Sequence, residues 1–136
     1  MFTLFYAGVL TLIALFLGFK TVQKRLDSGI LLGTGDSLEL LQATRAHSNL
    51  IENALFFLLL TGLLEVSGAV SNLTIGILGD VFILARIFHA YGFLQPDSVS
   101  KFRTIGATTS MLILIILSAL ALWVSCSWMV ANNWGF

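Results

Sequence analysis

The chain has 136 residues, 57% of them hydrophobic and only 10% charged, with a formal net charge of zero. A soluble domain of this length needs far more polar surface to cover its core, so the composition points to a membrane protein. The neutral balance gives no support for attraction to nucleic acid, and the length suits one compact domain over residues 1–136.

An α-helix needs about 20 residues to cross ~30 Å of hydrocarbon. Four segments qualify: Phe2–Phe19, Leu38–Val66, Leu73–Phe93 and Phe102–Val130. The first is uncharged, and Lys20, Lys24 and Arg25 follow it. A secretion signal carries its positive charges before the apolar core and a small-residue cleavage site after it, so this segment reads as a retained span. Gly29, Gly33 and Gly35 mark an irregular loop. Asp36 stands where it can cap the second helix, with Glu39 completing a capping box. That helix is longer than the bilayer requires, which places its first two turns in water. Glu65 closes it on the outer side, within reach of water.

Ser67-Gly68 and Ser71-Asn72 make a short turn into the third span, where Gly76 and Gly79 allow close helix approach. Asp80 lies deeper in that span, off the face of Arg86, and the sequence names no partner for it. Pro96-Asp97-Ser98 breaks the chain before the fourth span. The single cysteine, Cys126, sits in an apolar run and reads as a small buried hydrophobe. Trp128 and Trp134 read as anchors at the outer interface.

Lys20, Lys24 and Arg25 fall after the first span, and Lys101 and Arg103 at the third connection. The positive-inside rule then places the first and third connections in the cytoplasm and both termini outside. With that orientation, polar residues gather near the cytoplasmic end of three spans. Arg45, Asn49 and Glu52 follow each other at i, i+4 and i+7 on one stripe of the second helix. Arg86, His89 and Phe93 do the same at i, i+3 and i+7 on the third, and Arg103 begins the fourth.

Ionisable groups in a bilayer cost at least about 2.5 kcal/mol each on insertion scales, so a cluster of them points to a ligand site. Arg103 in a first helical turn opposes the helix dipole, a placement that a nearby anion would reward. Three arginines and two histidines against one glutamate suit a small ligand with more carboxylate than ammonium. Competing structural readings stand beside this one. Arg45 and Glu52 can form an ion pair, His89 can be a packing histidine, and His47, off the stripe, fits capping or snorkelling as well as a ligand role. No metal site is expected: His47 and His89 are the only imidazoles, and Cys126 lies toward the opposite face.

These residues resemble the MAPEG superfamily, the membrane-associated proteins in eicosanoid and glutathione metabolism, in its bacterial form. Gly33-Thr34-Gly35-Asp36 looks like the glycine- and aspartate-rich loop of its bacterial members. Arg45-Ala46-His47-Ser48-Asn49-Leu50-Ile51-Glu52 resembles the family's R-A-H-x-N-x-x-E signature. The stretch from Ala85 to Phe93 is similar to its helix-three segment R-x-x-H-x-x-G-F/Y. The resemblance implies an all-α, four-helix membrane bundle assembled as a homotrimer. Glutathione would bind as co-substrate between neighbouring subunits near the cytoplasmic face.

Carried over by motif, Arg45, Asn49 and Glu52 would grip the tripeptide, with Arg86 and His89 lining the same pocket. Arg103, with Thr104 beside it, matches the arginine that stabilises the glutathione thiolate in family enzymes. Phe93 stands where several relatives use a tyrosine hydroxyl. Gln23 stands where the family has an arginine that Arg25 can replace. Leu55 and Phe56 stand where many relatives carry a proline, which implies a straighter second helix.

The activity so implied is a glutathione-dependent transferase or peroxidase acting on lipophilic electrophiles in the bilayer. The alternative is a non-catalytic lipid-binding or scaffold protein of the same fold, which has no need of the Arg45, Asn49 and Glu52 array. A transporter using Arg86, His89 and Asp80 as a relay finds no inverted repeat to support it.

Overall fold

A computed structural model describes residues 1–95 and 100–135, so the chain break expected at Pro96-Asp97-Ser98 falls outside the described residues. Four helices make the fold: α1 Phe2–Ser28, α2 Leu38–Ser67, α3 Asn72–Phe93 and α4 Lys101–Ala131. Each is long and apolar enough to cross a membrane. A short 3-10 turn at Asn133–Gly135 follows α4.

α1 runs past the expected end of its span because no glycine or proline interrupts residues 19–28. It stops at Gly29, whose φ of 67° gives the left-handed cap that a side chain would resist. Lys20, Lys24 and Arg25 therefore ride on a helical extension, not on a loop. Arg25 Nη1 donates to the carbonyls of Ile30, Leu31 and Gly33 at 3.3, 3.2 and 3.0 Å, which pins the connection to α2.

The cap of α2 is Ser37, not Asp36. The Ser37 hydroxyl accepts the Leu40 N–H at 3.2 Å, so the third helical position is a leucine and no capping box forms. Glu39 turns instead to Lys24 of α1. Beyond this point α2 continues unbroken through Leu55 and Phe56.

Glu65 does more than face water. Its carboxylate accepts the N–H groups of Phe2 and Thr3 at 2.7 and 3.0 Å and pairs with the Met1 amino group. These are donors that the first turn of α1 cannot satisfy internally, and an anion there complements the helix dipole.

α2 and α3 each touch all the other helices, whereas α1 and α4 do not meet among the described residues. The core between them is aromatic at its centre: Phe57 and Phe82 stack at 4.0 Å, with Tyr6 edge-on to Phe57 at 5.9 Å. The Tyr6 ring lies where a Cβ on Gly79 would come within 2.0 Å of it, so only glycine fits. Outward faces carry exposed Leu, Ile, Phe and Trp side chains, as a lipid solvent requires. Cys126 belongs to that outer surface: it is exposed, not buried. In a membrane helix an apolar run marks the lipid side as readily as the core.

Candidate functional site

The polar cluster is built around Arg86, only 1% exposed. α3 and α4 approach closely enough to bury it because Gly92 and Gly106 lack side chains. A Cβ on Gly106 would meet the Ala85 carbonyl at 2.5 Å, and one on Gly92 would meet the Arg103 nitrogen at 2.4 Å. Across this contact the guanidinium donates from Nη1 to Asn49 Oδ1 at 2.9 Å and from Nη2 to the Gly106 carbonyl at 3.1 Å. Its carbon lies 5.6 Å from the Phe82 ring centre. One side chain thus ties α2, α3 and α4 together.

His89, one turn further along α3, braces the same seam. Its Nδ1 lies 2.8 Å from the Arg103 carbonyl, which can only accept, so Nδ1 carries the proton. In the neutral ring Nε2 is then an acceptor. Neither that atom nor Arg86 Nε has a partner among the described residues. Phe93 receives the His89 ring edge-on at 5.0 Å and the Arg103 guanidinium at 4.9 Å. The aromatic face rewards Arg103's position in the first turn of α4 without an anion, by about 0.5–1 kcal/mol at an exposed site.

The structure therefore divides the residues singled out from sequence. Asn49, Arg86, His89, Phe93 and Arg103 meet at one end of the bundle. Arg45, Glu52 and Thr104 are exposed. Arg45 and Glu52 form no ion pair; the pairs among the described residues are Met1–Glu65 and Lys24–Glu39. Because one guanidinium spans Asn49 and Gly106, those positions share a level on α2 and α4. Arg45 and Arg103 precede them by four and three residues, so both lie about one turn, roughly 5 Å, toward the connecting-loop end. Glu52 lies about one turn the other way.

Two residues stand apart. Arg25 is held by loop carbonyls. His47 turns toward α1, where a Cβ on Gly18 would lie 3.6 Å from its Nε2, and it lines an apolar groove of about 540 Å³ between α1 and α2. A smaller cavity of about 230 Å³ beside Phe93 is lined by Lys20, Lys24, Glu39 and Gln42. Among the described residues no three His, Cys, Asp or Glu side chains gather to hold a metal.

Sequence reasoning overlooked Tyr6. Its hydroxyl lies 2.7 Å from the Gly76 carbonyl and 2.9 Å from Asp80 Oδ1, so Asp80 is partnered by a phenol of α1 and not by a cation. The signal was a hydroxyl-bearing ring at the start of an otherwise apolar span. Gly106 was overlooked too, although a glycine one turn after Arg103 marks close approach as plainly as Gly79 does.

Four membrane-length helices, tied at one end by a buried arginine and a histidine, define a multi-pass helical membrane protein with a polar cluster inside one end of its bundle. The chain belongs to the MAPEG family, whose model matches residues 3–123. It is similar to "Inner membrane protein YecN" of Escherichia coli strain K12, 27% identical over 118 residues that cover 87% of this chain and 88% of the relative. The protein of the same name from Escherichia coli O6:H1 matches equally, at 27% over 118 residues. No solved structure matches the chain.

Proposed function

We propose that the protein is a glutathione-dependent transferase or peroxidase for lipophilic electrophiles, working as a homotrimer in a bacterial inner membrane with its termini outside. Family membership supports the glutathione-metabolism class. The observation that carries the reading is the Arg86 crossbar. It holds Asn49 of the signature to α3 and ties α3 to α4, while Arg45, Glu52 and Arg103 have their charges unpaired by any carboxylate or cation among the described residues. Arg45 then offers a bidentate partner to a carboxylate, and Glu52 an acceptor for an ammonium. Those are the end groups of glutathione. Arg86 and His89, buried within the chain, brace Asn49 and the start of α4 from behind, and a neighbouring subunit closes the pocket over the exposed faces of α2 and α4.

Arg103 supplies the chemistry. A free thiol has a pKa of about 8.5, and an adjacent cation lowers it. A two-unit drop corresponds to about 2.7 kcal/mol of preferential thiolate stabilisation, within reach of one partly desolvated guanidinium. The thiolate sulfur then attacks an electrophilic carbon delivered from the bilayer and expels its leaving group as an anion, or attacks a peroxide oxygen and breaks the O–O bond. The second route releases an alcohol and leaves a glutathione sulfenic acid that a second glutathione converts to the disulfide and water. Thr104 adds a hydroxyl donor beside it, and proximity contributes the rest.

The test is turnover of chlorodinitrobenzene by the purified protein with glutathione. Arg103→Ala lowers the rate at pH 7 about 25-fold, the ratio of thiolate fractions for thiol pKa values of about 6.5 and 8.5, while glutathione affinity changes at most severalfold. Equal rates for the two proteins would remove Arg103 from the chemistry. One observation favours the competing reading of a lipid-presenting protein without turnover: the Arg86 guanidinium is already engaged within the chain. Absence of glutathione binding would select that reading.

A further inference from the structure

The opposite half of the bundle holds a second polar feature, unconnected with the glutathione reading. Asp80 lies on α3 eight residues beyond Asn72, about 12 Å along the helix, and its side chain is exposed on the face of the bundle. An intramembrane carboxylate marks a functional site by default, with the identity of its partner the question to answer. Its one hydrogen bond among the described residues comes from the Tyr6 hydroxyl at 2.9 Å. That hydroxyl has a single proton and also faces the Gly76 carbonyl at 2.7 Å, so it satisfies only part of the hydrogen-bonding capacity of the Asp80 carboxyl group. No cation pairs with Asp80 among the described residues, where the ion pairs are Met1–Glu65 and Lys24–Glu39.

The surroundings say what would complete it. A cavity of about 340 Å³ is lined by Met1, Phe2, Phe5, Tyr6 and Asp80. Three aromatic residues and one carboxyl group share this lining, and both kinds of group attract a positive charge: an aromatic ring through its electron-rich face, a carboxylate directly. Tyr6 is 1% exposed and seated against Gly79, so that wall is rigid. Phe5, 63% exposed, forms the outer wall of the cavity. A weakly hydrated ammonium, carried on a chain that can stay in the hydrocarbon, fits this combination better than a small hydrated ion.

We propose that the Tyr6–Asp80 cavity binds an ammonium group borne on an apolar chain. The two sources of that chemistry are a free cationic amphiphile and an aminophospholipid of the bilayer.

The test uses the full chain purified in a maltoside detergent. Dodecyltrimethylammonium binding is measured by calorimetry, with dodecanol as the uncharged control. The cation binds saturably, and Asp80→Asn, which keeps the Tyr6 hydrogen bond, weakens it at least tenfold. Phe5→Ala, at an exposed wall position, weakens it severalfold, and dodecanol distinguishes none of the three proteins. Native mass spectrometry separates the sources: phosphatidylethanolamine retained by wild type and lost from Asp80→Asn assigns the site to the bilayer's own lipid. Retention of none assigns it to the free amphiphile. Equal affinity of wild type and Asp80→Asn for the cation overturns the proposal. So does a change in the number of chains per particle in Asp80→Asn, which would place the carboxylate between copies.

Discussion

Burying a guanidinium to 1% exposure is costly unless its donors are used, and Arg86 uses two of them on two different helices. Hydrogen bonds from charged groups contribute about 1.5–3 kcal/mol each when one partner is removed. Arg86→Lys, which cannot reach both acceptors through a planar fork, lowers thermal stability in detergent by an amount in that range. A double-mutant cycle with Asn49→Ala isolates the pair, and a coupling energy of about 0.5–3 kcal/mol is expected. Strict additivity would mean that the Asn49 contact contributes nothing. The same cluster shows what residue patterns conveyed. Helical spacing put Arg86, His89 and Asn49 near one end of the bundle; Arg86 bonds to Asn49 there, whereas His89 bonds to the Arg103 carbonyl instead. Spacing could not tell which guanidinium is consumed internally, because that depends on how closely α3 and α4 approach.

That approach is set at the scale of the element. Gly92 and Gly106 carry the α3–α4 seam, and a methyl group at either position would press on backbone atoms, which cannot swing away as a side-chain tip can. Gly106→Ala therefore destabilises the protein by about 1–3 kcal/mol, the usual cost of overpacking, and loosens both the Arg86 and His89 bonds to α4. Gly8→Ala is the matched control: nothing lies within 4 Å of the added carbon, and a mid-helix alanine gains up to ~1 kcal/mol over glycine. Thermal unfolding of the two variants decides the matter, and equal shifts would refute the close-packing argument. The helices themselves were legible from hydropathy, and the ends of α2, α3 and α4 fall within about one residue of expectation. What escaped were local choices between adjacent candidates. Ser37 outcompetes Asp36 as a cap, and α1 continues to Gly29 because its charged residues are good helix formers.

At the scale of the molecule, membrane residence inverts the usual sense of inside and outside. Cys126 was misplaced for that reason: its apolar neighbourhood is the outer wall of α4. It also explains why the candidate site was only half legible. Arg45 and Glu52 are exposed in a single chain, on a helix long and apolar enough to span the membrane; hydrocarbon penalises an exposed charge and a neighbouring subunit would relieve it. On the proposed homotrimer, native mass spectrometry in mild detergent gives three chains per particle; a monomer would leave the two side chains uncovered and contradict the proposed pocket. Glutathione itself tests the central claim most directly. Calorimetric titration of the purified wild-type protein is predicted to show saturable binding that Arg45→Ala weakens at least tenfold. No heat of binding, or equal affinity in the two proteins, would contradict the account.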